Sequence, residues 1–116
     1  GDAMATQKIN DADVEVSIIS TRQDEGSVLT PRELWTIEAA DKLLRANEQF
    51  KAAYPGAVLS RVEDMRDLDE SNKGRYYLRY QVGDSATEFW GYVAKKPKLD
   101  FKRGLVGVVP DDKTPM

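Results

Sequence analysis

The residue types that most enzymes use for catalysis are missing from this sequence. Its 116 residues include no cysteine and no histidine. Their absence excludes a thiolate nucleophile, a zinc–thiolate site, a Ser-His-Asp triad and an imidazole general base or metal ligand. An enzyme built on this chain would have to use carboxylates, lysine, tyrosine or arginine, which removes most hydrolases. We therefore expect a non-catalytic protein that holds no metal ion and no cofactor.

An acidic cluster is the first group of residues whose spacing suits a binding function. It comprises Glu63, Asp64, Asp67, Asp69 and Glu70, with Arg61 and Arg66 between them. Oxygen ligands of this kind can hold a cation, but the Asp-x-Asp-x-Asp-Gly pattern of a calcium loop is missing. The alternatives are a docking patch for a basic partner and a solvated hairpin tip, and the missing calcium pattern favours the tip.

A basic cluster follows later in the sequence. It comprises Lys95, Lys96, Lys98, Lys102 and Arg103, with Asp100 among them. Nucleic-acid binding would require several of these cations on one face, beside stacking rings such as Tyr92 and Phe101. The net charge of -3 and the usual placement of lysine on edge strands favour a solvated surface, so we expect no nucleic-acid partner. A second copy of the chain is an alternative partner, because its acidic cluster would attract this basic cluster.

The composition indicates an ordinary globular protein. Hydrophobic residues make up 41% of the chain and charged residues 32%, and a chain of this length most simply forms one domain. No apolar run reaches the ~18–20 residues of a membrane span, and no signal-peptide pattern is present. We expect a soluble protein without a membrane partner, with the cytoplasm slightly favoured as its location.

Residues 30–54 predict one long helix. Thr30 and Glu33 have the types and spacing of a capping box, Pro31 suits the first helical position, and Pro55-Gly56 ends the pattern. The predicted apolar stripe comprises Trp35, Ala39, Leu43, Ala46, Phe50 and Ala53, widened by Leu34, Ile37, Ala40, Leu44 and Tyr54.

The strand patterns predict a sheet for this helix to cover. The predicted strands are Val14–Ser20, Ala57–Arg66 with a bulge near Arg61–Asp64, Arg75–Val82, Thr87–Lys95 and Phe101–Val109. Gly83-Asp84-Ser85 predicts a hairpin, and turns this short force antiparallel neighbours. The predicted fold is α+β, with one long helix packed on a curled antiparallel sheet of four to five strands in the order β-α-β-β-β-β. We expect residues 1–13 to be disordered and partly tag-derived, residues 14–110 to form the domain, and residues 111–116 to be a tail.

This layout and one hairpin resemble the cystatin/stefin family. The resemblance rests on two segments that are similar to the central aromatic hairpin of the stefin type. They are Arg75-Tyr-Tyr-Leu-Arg-Tyr-Gln-Val-Gly83-Asp84 and Phe89-Trp-Gly-Tyr-Val93. The resemblance implies a cystatin-like fold. It also implies inhibition of papain-type cysteine proteases through a glycine-containing N-terminal segment, a Gln-x-Val-x-Gly first loop and a second loop that often bears Pro-Trp. This sequence instead has Asp67-Leu-Asp-Glu-Ser-Asn-Lys-Gly74 and Lys95-Lys-Pro-Lys98 at the two loop positions, so the inhibitory motifs are not retained.

We therefore expect a non-catalytic protein-interaction module on a cystatin-like scaffold, with another protein as its partner. The expected partner-binding residues are Asp67, Asp69, Glu70, Asn72, Lys73, Lys96, Pro97 and Lys98. The polar sheet face with Tyr77, Arg79 and Gln81 is an alternative surface. Inhibition of papain-type proteases is the second hypothesis. A ligand-binding or nuclear-transport-factor-like enzyme domain is the third, and it needs an internal cavity beside Trp35 and Trp90, where we expect a packed aromatic core instead.

Overall fold

The seven described strands of the computed structural model belong to one mixed sheet. The model describes residues 3–18, 29–64 and 75–115. The elements are β1 (Ala3–Ile9), β2 (Ala12–Ile18), α1 (Pro31–Ala46), α2 (Glu48–Ala53), β3 (Val58–Asp64), β4 (Arg75–Val82), β5 (Ser85–Val93), β6 (Lys98–Asp100) and β7 (Leu105–Val108). In space the strands follow the order β1-β2-β3-β4-β5-β7-β6. The α+β class is confirmed.

The sheet differs from the predicted one in strand number and direction. It has seven strands, and the pairs β2–β3 and β5–β7 are parallel. Short turns explain only the antiparallel hairpins. The two helices carry the chain back across the sheet between β2 and β3, and a crossover of this kind leaves its two strands parallel. The prediction of a wholly antiparallel sheet was wrong, because short hairpin turns do not determine the relative direction of strands that are joined by the helices.

The N-terminal part of the chain forms a hairpin where no regular structure was expected. β1 pairs with β2 through residues 3–9 and 12–18, and the connecting Asn10 and Asp11 have φ values of 47° and 69°. Asparagine and aspartate tolerate this left-handed conformation, which suits a two-residue hairpin turn. The turn is attached to α1, because the Asn10 amide donates to Glu38 Oε2 at 3.0 Å and its side-chain amide donates to the Glu38 carbonyl at 2.9 Å.

The helix begins as predicted but does not continue to Tyr54. The Glu33 amide donates to Thr30 Oγ1 at 3.2 Å, and the Thr30 amide donates to Glu33 Oε1 at 2.7 Å, which completes the capping box. Asn47 then leaves the helical conformation with φ -78° and ψ 128°, and its Oδ1 accepts from the Phe50 amide at 2.9 Å. The side chain of Asn47 therefore caps a second short helix, which divides the predicted helix in two.

The buried face of α1 is rotated from the predicted stripe. Its buried residues are Glu33, Thr36, Ile37, Ala40, Asp41 and Leu44. Leu43 is 43% exposed and Ala46 is also exposed, so both were wrongly assigned to the core. Asp41 explains the rotation, because its carboxylate is held under the helix by the Tyr80 hydroxyl at 2.6 Å.

Aromatic rings fill the space between the helices and one face of the sheet. Phe50 contacts Tyr80 and Phe89 with ring centroids 5.2 and 5.5 Å apart. Gly91 permits the close approach of α1, since a Cβ at that position would lie 3.0 Å from the Cβ of Ala40. The predicted core aromatics Phe50, Tyr76 and Tyr80 are indeed buried.

The last predicted strand, Phe101–Val109, is a turn followed by the shorter strand β7, which forms a hairpin with β6. β6 and β7 are antiparallel and enclose a turn at residues 101–104, where Gly104 has φ +70°. The Asp100 carboxylate stabilises the turn by accepting from the Arg103 amide at 3.1 Å. β6 thereby becomes an edge strand of the sheet, and this position determines the candidate site.

Candidate functional site

A groove between α1 and the edge strand β6 contains two of the residues predicted to bind a partner. We call it the α1–β6 groove. Its lining comprises Leu43, Ala46, Asn47, Pro97, Lys98 and Leu99, and its volume is about 320 Å³. The helix side is apolar because the rotation of α1 directs Leu43 and Ala46 outward.

The strand side of the groove combines an apolar contact with a basic rim. Leu99 is partly buried and packs against the core, so it faces the helices. Lys96, Pro97 and Lys98 are exposed. Lys96 precedes the groove-lining segment, whereas Pro97 and Lys98 lie directly on it. The remaining predicted partner-binding residues, Asp67, Asp69, Glu70, Asn72 and Lys73, lie outside the described residues.

The cations around this groove are not neutralised by described neighbours. Lys95, Lys96, Lys98 and Lys102 form no ion pair with a described residue, whereas Arg103 lies 3.7 Å from Asp100. Other cations are paired, including Lys51, whose Nζ is 2.9 Å from Glu48 Oε1. Residues 95–103 carry five Lys or Arg side chains against one carboxylate, Asp100, although the whole chain is acidic. This segment therefore attracts anionic groups.

The sheet face opposite the helices is open and carries mixed charges and aromatic rings. The ring of Tyr77 contacts that of Trp90 across the strands at a centroid distance of 5.6 Å, and Arg79 lies opposite Glu88 in the strand register. Trp90 was expected in the core but lies on this open face with Tyr77. Burial and the neighbouring Glu88, which accepts a hydrogen bond from the Tyr77 hydroxyl, raise the pKa of Tyr77 to about 12. The face has acids interleaved with its cations, so it lacks the basic excess found near the groove.

A buried polar cluster under α1 contains Asp41 and Tyr80, residue types that can act as an acid–base pair. In this structure their contact stabilises the fold. Asp41 is 2% exposed and accepts hydrogen bonds from Tyr80 at 2.6 Å and from Asn10 at 2.9 Å. Arg45 Nη2 lies 2.8 Å from the same carboxylate. Burial and the charge of Asp41 raise the pKa of Tyr80, so the hydroxyl remains protonated. Because Tyr80 has no exposed surface, this cluster holds the sheet, the N-terminal hairpin and α1 together and offers no reactive atom to a substrate.

A second surface cleft lies beside α2. It has a volume of about 390 Å³ and is lined by Arg45, Phe50, Lys51, Tyr54, Pro55, Gly56 and Ala57. Both of its cations form ion pairs within the chain, Arg45 with Asp41 and Lys51 with Glu48. Neither tryptophan lines this cleft, so it does not correspond to the Trp-flanked internal cavity that the ligand-binding hypothesis requires.

Sequence reasoning missed the helix side of the α1–β6 groove. The predicted helix over residues 30–54 has Leu43 and Ala46 on its buried stripe and Asn47 in its interior. One available signal was Asn47 itself, since asparagine favours helix caps over helix interiors. A second signal was Asp41, whose burial turns Leu43 outward, but the burial depends on Tyr80 and is not visible locally.

Within the described ranges, no group of three His, Cys, Asp or Glu side chains is arranged to hold a metal ion. Neither described helix has the length and apolar character needed to cross a bilayer. Comparisons with protein-family models, with curated proteins and with solved structures returned no match for this chain. The resemblance of the aromatic hairpin to the cystatin/stefin family therefore stays a prediction.

Proposed function

We propose that this protein is a non-catalytic interaction module that binds another protein through the α1–β6 groove. The observation that carries the proposal is an exposed apolar helix face beside Lys98 on the edge strand and Lys96 just before it, neither of which forms an ion pair with a described residue. An apolar centre bordered by a charged rim is the usual anatomy of a protein-binding surface. Leu43 supplies apolar area that is 43% exposed, and Lys96 and Lys98 supply the rim.

The polar chemistry of the other described residues supports a binding role over a catalytic one. The buried Asp41–Tyr80 pair is saturated with internal hydrogen bonds, and the cleft beside α2 has its cations in ion pairs. Partner recognition requires no reactive side chain. It requires only complementary shape and charge, which the groove provides.

Site-specific photo-crosslinking tests the proposal. A photoreactive amino acid placed at Ala46 lies in the groove, and the same amino acid at the exposed Ala52 of α2 serves as the control. In cells of the source organism, we expect one discrete adduct from position 46 that is lost when Leu43→Glu is added. No adduct at 46, or the same adduct at 52, would reject the groove as the binding surface.

Inhibition of papain-type cysteine proteases is the second candidate function. It is favoured by one observation, the exposure of Lys95, Lys96 and Pro97 at the position that the family resemblance assigns to the second inhibitory loop. A tight-binding titration against a panel of papain-type proteases measures whether the protein inhibits them. Stoichiometric inhibition that is lost on replacing residues 95–97 by glycine and serine would favour the inhibitor hypothesis, and unchanged protease activity at micromolar protein would reject it.

A further inference from the structure

We infer that the partner enters the α1–β6 groove as an extended segment that adds an eighth strand to β6, with an acidic residue opposite Lys98 and apolar residues on either side of it. This inference rests on the proposed interaction function and names the chemistry of the partner. It follows from the position of β6, the alternation of its side chains and the charges around it.

The position of β6 leaves one side of its backbone available. β6 is the last strand in the sheet order, and no described strand pairs with its outer side. Its inner side pairs with β7 in the register Lys98↔Gly107, Leu99↔Val106 and Asp100↔Leu105. The outer amide and carbonyl groups of an edge strand can pair with an extended peptide, which is a common mode of peptide recognition.

Alternation along β6 decides where the side chains of an added strand would lie. Leu99 faces the helices, because it packs against the core, whereas alternation turns the side chains of Lys98 and Asp100 to the other face of the sheet, so that Lys98 borders the groove at its rim. A residue placed opposite Leu99 would therefore point into the groove beside Leu43. A residue placed opposite Lys98 would point to the open side and meet the ammonium group.

The charges at the two ends of β6 favour different residues in the added strand. Lys98 has no described ionic partner, so an acid opposite it gains an ion pair. Asp100 already accepts from the Arg103 amide at 3.1 Å and carries its own negative charge, so an acid opposite it would be repelled. The resulting pattern is polar, apolar, acid, apolar, polar, with the acid at Lys98 and the apolar residues over the groove.

The same charges argue against the edge of a second copy as the occupant. In a parallel, in-register pairing of β6 with β6 of another copy, Lys98 would face Lys98, which is unfavourable. An antiparallel pairing centred on Leu99 would set Lys98 against Asp100, which Arg103 already engages, and Lys96 against Lys102. Pro97 also removes one backbone donor just before the strand, which limits indiscriminate pairing. An acidic segment avoids the repulsion, so the lysines select the partner by charge.

A palindromic peptide tests the pattern without assuming a strand direction. The probe is acetyl-Gly-Thr-Val-Glu-Val-Thr-Gly-amide, titrated into ¹⁵N-labelled full-length protein and followed by amide chemical shifts. We expect saturable shifts at residues 97–100 and on the adjacent turn of α1, with a dissociation constant on the order of 0.1–1 mM for so short a ligand. The peptide with Val-Thr-Glu-Thr-Val at its centre has the same composition but cannot place valine and glutamate on opposite faces, and it should not saturate.

Variants of the protein separate the acid contact from the apolar contact. Lys98→Glu should weaken binding of the glutamate peptide about fivefold to tenfold. A third peptide, in which lysine replaces the central glutamate of the probe, should bind the Lys98→Glu variant more tightly than it binds the unchanged protein. Leu43→Glu should weaken both peptides. Lys42→Glu makes the same change of charge as Lys98→Glu at an exposed position of α1 outside the groove, and it should leave both affinities within about twofold.

Backbone methylation of the peptide identifies strand addition. In a strand, only alternate residues direct their N–H groups to a given neighbour. Methylating the two valine nitrogens and methylating the threonine and glutamate nitrogens should therefore have opposite results, with one peptide losing binding and the other retaining it. Equal affinities of the two methylated peptides would overturn the inference.

The outcomes distinguish this inference from the proposed function. If the probe does not saturate by about 2 mM but position 46 still crosslinks a protein in a Leu43-dependent manner, strand addition is wrong and the interaction function stands. If both experiments fail, both are wrong. Shifts that depend on protein concentration without peptide would show that a second copy occupies the groove, and they would overturn the inference.

Discussion

The change Tyr80→Phe isolates one hydrogen bond in the middle of the core. The ring of Tyr80 contacts Phe50 and Phe89 at centroid distances of 5.2 and 6.3 Å, and phenylalanine keeps this packing. Only the hydroxyl is removed, and with it the 2.6 Å hydrogen bond to Asp41 Oδ1. The perturbation therefore measures a single buried contact between the sheet and α1.

The expected loss of stability is about 2–3 kcal/mol. A hydrogen bond to a charged group contributes about 1.5–3 kcal/mol, and a buried carboxylate oxygen left without its donor falls at the upper end of this range. Asp41 Oδ2 keeps its contacts with Asn10 and Arg45, so the carboxylate is not left wholly unpaired. The loss is large compared with a total stability of about 5–15 kcal/mol, so it is readily measured.

Urea unfolding followed by circular dichroism is the assay, with Tyr54→Phe as the matched control. The Tyr54 hydroxyl makes no hydrogen bond to a described residue, so the control should change the free energy of unfolding by less than about 0.5 kcal/mol. A double-mutant cycle with Asp41→Asn should show a coupling energy above about 1 kcal/mol. If Tyr80→Phe costs no more than Tyr54→Phe, the Asp41–Tyr80 contact does not hold α1 on the sheet.

Three further predictions concern the same framework. First, the raised pKa values of Tyr77, about 12, and of Tyr80 mean that the folded chain keeps protons which the unfolded chain loses above pH 10. Their contribution to stability is thus complete below pH 10 and is lost as the pH rises, and a urea midpoint that increased between pH 10 and 11.5 would contradict this sign. Second, Asn47→Ala removes the cap of α2 and should lower the free energy of unfolding by about 1 kcal/mol. Asn47→Asp keeps an acceptor for the Phe50 amide and should retain most of the stability, and thermal unfolding of the two variants checks this difference. Third, Gly91→Ala inserts a methyl group 3.0 Å from the Cβ of Ala40 and should cost about 1–3 kcal/mol in urea unfolding, and Ala40→Gly should recover part of that loss if the clash is the cause.

Several features of the fold follow from short stretches of sequence. The capping box at Thr30 and Glu33 involves residues three positions apart, and the structure contains it as predicted. β4 has the predicted bounds Arg75–Val82, and Gly83 forms the turn to β5 with a φ of +61°. These features depend on local hydrogen bonds, alternation and backbone conformational preference, and all three can be read from neighbouring residues.

Other features depend on contacts between distant residues. The direction of β3 relative to β2 follows from the path of both helices across the sheet, and no local pattern encodes it. The predicted bulge near Arg61–Asp64 lies instead between Leu59 and Arg61, because the partner strand determines where the register shifts. The chain from Phe101 to Val109 divides into a turn and β7 because Asp100 accepts from Arg103 and closes the turn.

The candidate site shows this division most clearly. The sequence alone determined that cysteine and histidine chemistry is excluded and that a basic segment with Lys96, Pro97 and Lys98 interrupts the strand pattern. Only the tertiary structure decided that Leu43 faces this segment. The helix is rotated by the contact of Asp41 with Tyr80, which lies 39 residues away, and a side chain's partner at that distance is set by the packing of the whole sheet. The period of a helix predicts that one face is buried, but the buried polar contact decides which face it is.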